Sequence, residues 1–268
     1  SIRRCGTAGR GPRDAAEIHM STARRNPVAR VLMGVLIFQL GLGLLLFWGD
    51  LRDGLRMPGF GPRAPALTEP IRPGDQTRRY RPDRAPAPGR PMPETPLPDR
   101  LTLTAIEAGK TILLEGSISP GDARRITKQI NDLPQPPEGV ILNSPGGSVR
   151  DALDLGRMLR STGLNTALRD GDICYSACPY LLAAGVSRNI PDDGSVGVHQ
   201  HYFGESTLLP AFVAVEDIQR GQGEVMGYLD EMGIDPLVMR HALVTPPDEI
   251  YVLVPEELRA YGFIKSAE

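Results

Sequence analysis

An uncharged apolar run, VLMGVLIFQLGLGLLLFW from Val31 to Trp48, separates the chain into parts that cannot share one core. A run at the ~18-residue threshold is long enough to be read as a membrane-crossing helix. A helix packed on a water-soluble domain would carry a polar face, and this one offers only Gln39. The pattern predicts a transmembrane signal-anchor helix over 28–49. Arg3, Arg4, Arg10, Arg13, Arg24, Arg25 and Arg30 precede it, whereas Arg52, Arg56 and Arg63 follow among the acids Asp50 and Asp53. Basic flanks stay on the cytoplasmic side. Residues 1–27 are therefore expected to be a cytoplasmic leader, and the C-terminal bulk to lie in the periplasm or an equivalent extracytoplasmic space, tethered to the inner membrane. A cleavable signal peptide would have a shorter apolar region, and WGDLRDGL lacks a small-x-small cleavage site. Met20 is a candidate initiator, with Ser1 to His19 as an unstructured leader.

Residues 50–99 are rich in proline and arginine, densest in APAPGRPMPETPLPD, and lack an apolar period. Proline removes backbone donors and stiffens the chain, so an extended, solvated, disordered linker is expected. The formal net charge is −2, and the arginines concentrate in leader and linker rather than among aromatics on a folded face. Nucleic acid is not an expected partner.

Residues 100–268 alternate strand and helix patterns. Leu101 to Ile106 and Thr111 to Leu114 read as paired strands joined at Ala108-Gly109-Lys110. A helix follows over 120–133, with Ala123, Ile126, Ile130 and Leu133 on one face, then a buried strand over 139–142. Ser148 with Asp151 forms a capping pattern before a helix whose apolar stripe is Val149, Ala152, Leu155, Met158 and Leu159. A strand over 164–168 leads to Ser176, and a short apolar helix follows from Pro179 to Gly185. Such alternation implies an α/β domain with parallel strands and right-handed crossovers.

Three segments carry chemistry. In LNSPGGSV, glycines entering a helix let main-chain N–H groups approach a developing negative charge. Ser176 opens the next helix, where a serine is ordinarily only a cap. His199 ends the strand pattern Gly194 to Val198, and an imidazole is the usual base for a serine hydroxyl. His199, His201 and His241 also permit a metal reading, which strand alternation alone does not support. Cys174 and Cys178 bracket Ser176. Their spacing across a helix start makes a bridge strained, so two buried small residues are expected there, with Cys178 a weaker alternative nucleophile. Cys5, on the cytoplasmic side, should stay reduced.

LNSPGGSV, SACPYLLAAG and VGVHQ resemble the oxyanion-turn, nucleophile-helix and histidine-strand motifs of the Clp protease proteolytic subunit family. LEGSISPGDARRITKQIN and PEELRAYGFI are similar to it in pattern, so the resemblance runs from about Leu113 to Ile264. It implies a Clp/crotonase-like α/β fold of repeated ββα units, and serine-type hydrolysis of peptides or unfolded protein without a cofactor. By position it implies Ser176 as nucleophile, His199 as general base, and the N–H groups of Gly147 and Ala177 as oxyanion hole. The family's aspartate position falls near Ile250, so Asp248, slightly out of register, is the expected third member. The helix pattern from Phe212 to Met232 corresponds to one that joins subunits in that family, which implies a homo-oligomer.

Other functions on the same fold are a catalytically inactive peptide-binding scaffold and a crotonase-type acyl-thioester enzyme. The latter leaves the Ser176 and His199 matches unexplained and requires a coenzyme A site, for which the chain has no signal. A lysine base is not supported either, because Lys110, Lys128 and Lys265 fall at no matching position.

Overall fold

A computed structural model describes residues 27–54, 64–67, 69, 71, 74–80, 96–201 and 211–264, the side chains of 49–54 and 211–214 excepted. The basic leader, Met20, Cys5, Lys265 and most of the densest proline stretch lie outside the described residues. The chain divides into two units, Ser1–Pro62 and Arg63–Glu268.

The first unit contains helix α1 (Pro27–Gly54). Its segment Pro27–Trp48 spans 22 residues and is long and apolar enough to cross a membrane. At ~1.5 Å per residue it would extend roughly 33 Å, matching a hydrocarbon core of ~30 Å. Large apolar side chains such as Phe38, Leu44 and Trp48 are exposed all around it, so no face is reserved for a protein core.

The second unit is a mixed α/β body. In chain order it contains β1 (Thr77–Arg79), β2 (Thr102–Ile106), β3 (Thr111–Glu115), α2 (Asp122–Asn131), β4 (Gly139–Asn143), α3 (Val149–Ser161), β5 (Asn165–Ala167) and β6 (Ile173–Tyr175). Then follow α4 (Cys178–Ala183), β7 (Arg188–Asn189), β8 (Ser195–Val198), α5 (Ala211–Glu231), α6 (Met239–Val244), β9 (Glu249–Val252) and α7 (Pro255–Ala260). One sheet has the order β2-β3-β4-β5-β7, parallel except for the β2–β3 hairpin. The other has the order β1-β9-β8-β6, with β6 and β8 parallel and β9 antiparallel to its neighbours. A bridge between Ser144 and Cys174 brings the end of β4 to the middle of β6, and this is where the two sheets meet.

The helices follow the apolar periods. Helix α3 buries Ala152, Leu155 and Leu159 between α2 and α4, and Ile126 and Ile130 of α2 face the same core. Ser148 caps α3 by accepting from the Asp151 N–H, and Oδ1 of Asp151 accepts from the Ala123 N–H at 3.0 Å, tying α3 to the start of α2.

The stretch expected to be a solvated linker contributes to this body. Its β1 pairs with β9 in the register Arg78 to Ile250, whereas residues 50–54 continue α1 in the first unit. Leu67 and Tyr80 are buried in a second apolar cluster with Ile173, Tyr175, Ile250 and Val252. Pairing with β9 supplies the backbone partners that a proline-rich stretch cannot supply to itself.

Candidate active site

The Ser144–Ser148 turn is built around two glycines. The Gly146 carbonyl accepts from the Ile118 N–H at 2.8 Å, and the Ser148 N–H donates to the Ile118 carbonyl at 2.7 Å. In a trans peptide the carbonyl and the following N–H point in opposite directions, so the Gly147 N–H is directed away from Ile118. Gly147 has φ +137°, and a Cβ there would lie 2.1 Å from the Ile118 carbonyl oxygen. A Cβ on Gly146 would lie 2.5 Å from that of Ser176 and 2.8 Å from the Ala177 nitrogen. The turn and the serine are thus packed backbone to backbone, at a distance only glycine allows.

Ser176 occupies the bend between β6 and α4. Its φ of +60° is left-handed, unusual for a residue with a side chain and worth about 1–3 kcal/mol of strain. The bend is held from both sides, because the Ser176 N–H donates to the Gly197 carbonyl at 3.0 Å and the Cys174–Cys178 pair is disulfide-bonded, with Cα atoms 5.0 Å apart. This corrects the expectation of two free buried cysteines. The chain doubles back at Ser176 before α4 begins, which brings the two Cα atoms within ordinary bridging distance.

His199 leaves the end of β8, and its Nε2 is 2.7 Å from Ser176 Oγ. Its Nδ1 is 3.1 Å from the Pro247 carbonyl. A carbonyl can only accept, so Nδ1 carries the proton and Nε2 is left as the acceptor facing the serine. The group that meets Nδ1 is thus the backbone oxygen of the residue before Asp248, the expected third member, which is itself an exposed residue lining the same groove. Burial lowers the His199 pKa against the opposing pull of nearby carbonyls, so the imidazole is neutral at neutral pH.

Around this pair opens a groove of about 740 Å³, whose walls include Tyr80, Pro120, Gly147, Val149, His201 and Pro247. Ser176 and His199 meet on it, with Gly147 beside them. His201 turns to the Tyr180 hydroxyl at 2.6 Å, and burial pushes its pKa down to about 4. His241 pairs instead with the Tyr261 hydroxyl at 2.7 Å and stacks on Tyr251. The three histidines do not converge, and among the described residues no cluster of His, Cys, Asp and Glu is arranged to hold a metal.

Two participants have no signal in the sequence: the Pro247 carbonyl, because any residue carries one, and Tyr80, because it stands in a proline-arginine stretch. The chain matches no model of a known protein family, and a comparison with curated proteins finds no match.

Proposed function

We propose that the protein is a membrane-anchored serine hydrolase that cleaves peptide bonds in the manner of the Clp protease subunits it resembles, with its α/β body outside the cytoplasm. The observation that carries this reading is the 2.7 Å contact between Ser176 Oγ and His199 Nε2, made on a left-handed bend beside a glycine turn. Neutral His199 accepts the hydroxyl proton as Ser176 attacks the carbonyl, and returns it to the leaving amine; water then releases the acyl group. Among the described residues neither Gly147 nor Ala177 gives its N–H to a backbone carbonyl in a turn or cap, which leaves both to receive the oxyanion. The apolar α1 is the anchor. The arginine-rich leader favours the extracytoplasmic side for the body, where a disulfide is stable.

A second reading, a groove that binds peptides without turning them over, is favoured by the Pro247 carbonyl. A neutral dipole orients the imidazole but stabilises an imidazolium less than a carboxylate would.

Both readings are separated by reaction of the full chain, in detergent, with a fluorophosphonate. Hydrolase function predicts a covalent adduct on Ser176 that is absent from Ser176→Ala and slowed about 10²- to 10⁴-fold by His199→Ala. Because burial depresses the His199 pKa, the reactive neutral form persists down to pH 6.5, and the rate should decline only below it. Equal labelling of wild type and Ser176→Ala would remove the nucleophile, and an unreactive wild type would leave the binding groove.

A further inference from the structure

Tyr80, the residue that follows β1, lines the groove. Strand β1 lies on the outer edge of its sheet against β9, and the pairing continues past its end, where the Tyr80 N–H donates to the Asp248 carbonyl at 2.9 Å. This fastens the loop that presents the neighbouring Pro247 carbonyl to His199. The Tyr80 ring then stands edge-on to the His199 ring, with centroids 5.0 Å apart and planes at 72°. Its hydroxyl donates to the carbonyl of Pro145, the residue that precedes Gly146-Gly147. One residue therefore touches the loop that orients the base, the base itself, and the turn that presents the oxyanion N–H.

Burial holds the residue in place. Tyr80 is 6% exposed, and its ring also packs edge-on to Tyr175 at 6.1 Å, beside Ser176 in the chain. Arg78 is fully buried and pairs with Asp75 at 3.1 Å, while the Arg79 N–H donates to the Pro65 carbonyl at 2.9 Å. A surface linker would leave such groups in water.

We propose that Tyr80 is a positioning residue, supplied from outside the contiguous α/β sequence, that sets the oxyanion turn and His199 in register with Ser176. It acts in two separable ways. The hydroxyl fixes the Pro145–Gly146 peptide, so the Gly147 N–H keeps its direction toward the groove. The ring covers one side of the imidazole and keeps water from it.

The proposal rests on the hydrolase reading, and its test uses the full chain in detergent with two readouts. One is the fluorophosphonate labelling rate of Ser176. The other is the titration of His199, followed by NMR of ring-labelled histidine. The titratable groups sharing the groove with His199 are Tyr80, His201 and Asp248. Tyr80→Phe keeps the ring and removes the hydroxyl, so the His199 midpoint should stay in place while labelling slows at least about tenfold. Tyr80→Ala hydrates the imidazole, so the His199 midpoint should rise toward its ordinary value of about 6.5. Labelling of Tyr80→Phe at the wild-type rate overturns the proposal, as does a His199 midpoint in folded Tyr80→Ala equal to that of wild type. If the wild-type chain is not labelled at all, the hydrolase reading fails, and the His199 titration still decides whether Tyr80 shields the base.

Discussion

Ser176, His199 and His201 illustrate how burial sets chemistry residue by residue. His199 meets a hydroxyl on one side and a carbonyl on the other, both of which suit the neutral ring. His201, two residues on, faces the Tyr180 hydroxyl in surroundings that push its pKa down to about 4. In the unfolded chain that histidine binds a proton near pH 6.5, so the unfolded state holds more protons between pH 6.5 and 4 and stability falls as pH drops through that window. The loss is up to roughly 3 kcal/mol at the acid end. Thermal melts of the wild type should thus drop steeply below pH 6.5, and His201→Gln, which keeps a polar partner for Tyr180, should flatten that drop while leaving melting above pH 7 nearly unchanged. Equal acid sensitivity of both proteins would sink this assignment. At this scale the glycines, Ser176 and His199 were legible because each is a side-chain or backbone requirement written in residue identity. The orienting group was not, since a carboxylate announces itself in sequence and the Pro247 carbonyl does not.

Elements were legible where periodicity was long enough to read. Helix α3 begins at the predicted cap, and β2, β3, β4 and β5 of the larger sheet fall within a residue or two of the apolar patterns, whereas the two-residue β7 has no pattern to read. Strand β1 was not, because three residues including two arginines carry no alternation, and its pairing partner lies about 170 positions away, where only tertiary contact can select it. The β6–α4 junction holds the other surprise, a bridge between Cys174 and Cys178 with both residues fully buried. Closing so short a loop restricts the unfolded chain only modestly, worth about 2 kcal/mol in the chain-entropy account. Its larger consequence is local, since it holds the left-handed Ser176 between the strand and the helix. The double substitution Cys174→Ala with Cys178→Ala should lower stability to denaturant by about that amount and slow Ser176 labelling more than the stability loss alone explains. Labelling at the wild-type rate in the folded double variant would reduce the bridge to a staple with no bearing on Ser176.

Across the whole molecule, the division into Ser1–Pro62 and Arg63–Glu268 falls well before the start of the recognisable α/β pattern, and the difference can be tested by truncation. Residues 64–80 bury Leu67 and Tyr80 against Ile173, Tyr175, Ile250 and Val252, and β1 satisfies the outer edge of β9. Removing them exposes that cluster. At about 1.5–3 kcal/mol for each large apolar side chain, the loss of Leu67 and Tyr80 alone amounts to roughly 3–6 kcal/mol. For a body of this size that corresponds to a fall in melting temperature of about 6–24 °C. A chain beginning at Arg63 omits α1 and the exposed apolar run and retains all of these contacts. It should remain in solution without detergent, melt as the full chain does, and keep its Ser176 reactivity. A chain beginning at Arg100 contains every motif that is recognisable in sequence, yet should melt at least about 6 °C lower and react more slowly, because both the edge of β9 and one side of His199 are uncovered. Identical melting and labelling of the two truncations would mean that residues 64–80 are ornamental, and that the body is complete from β2 onward.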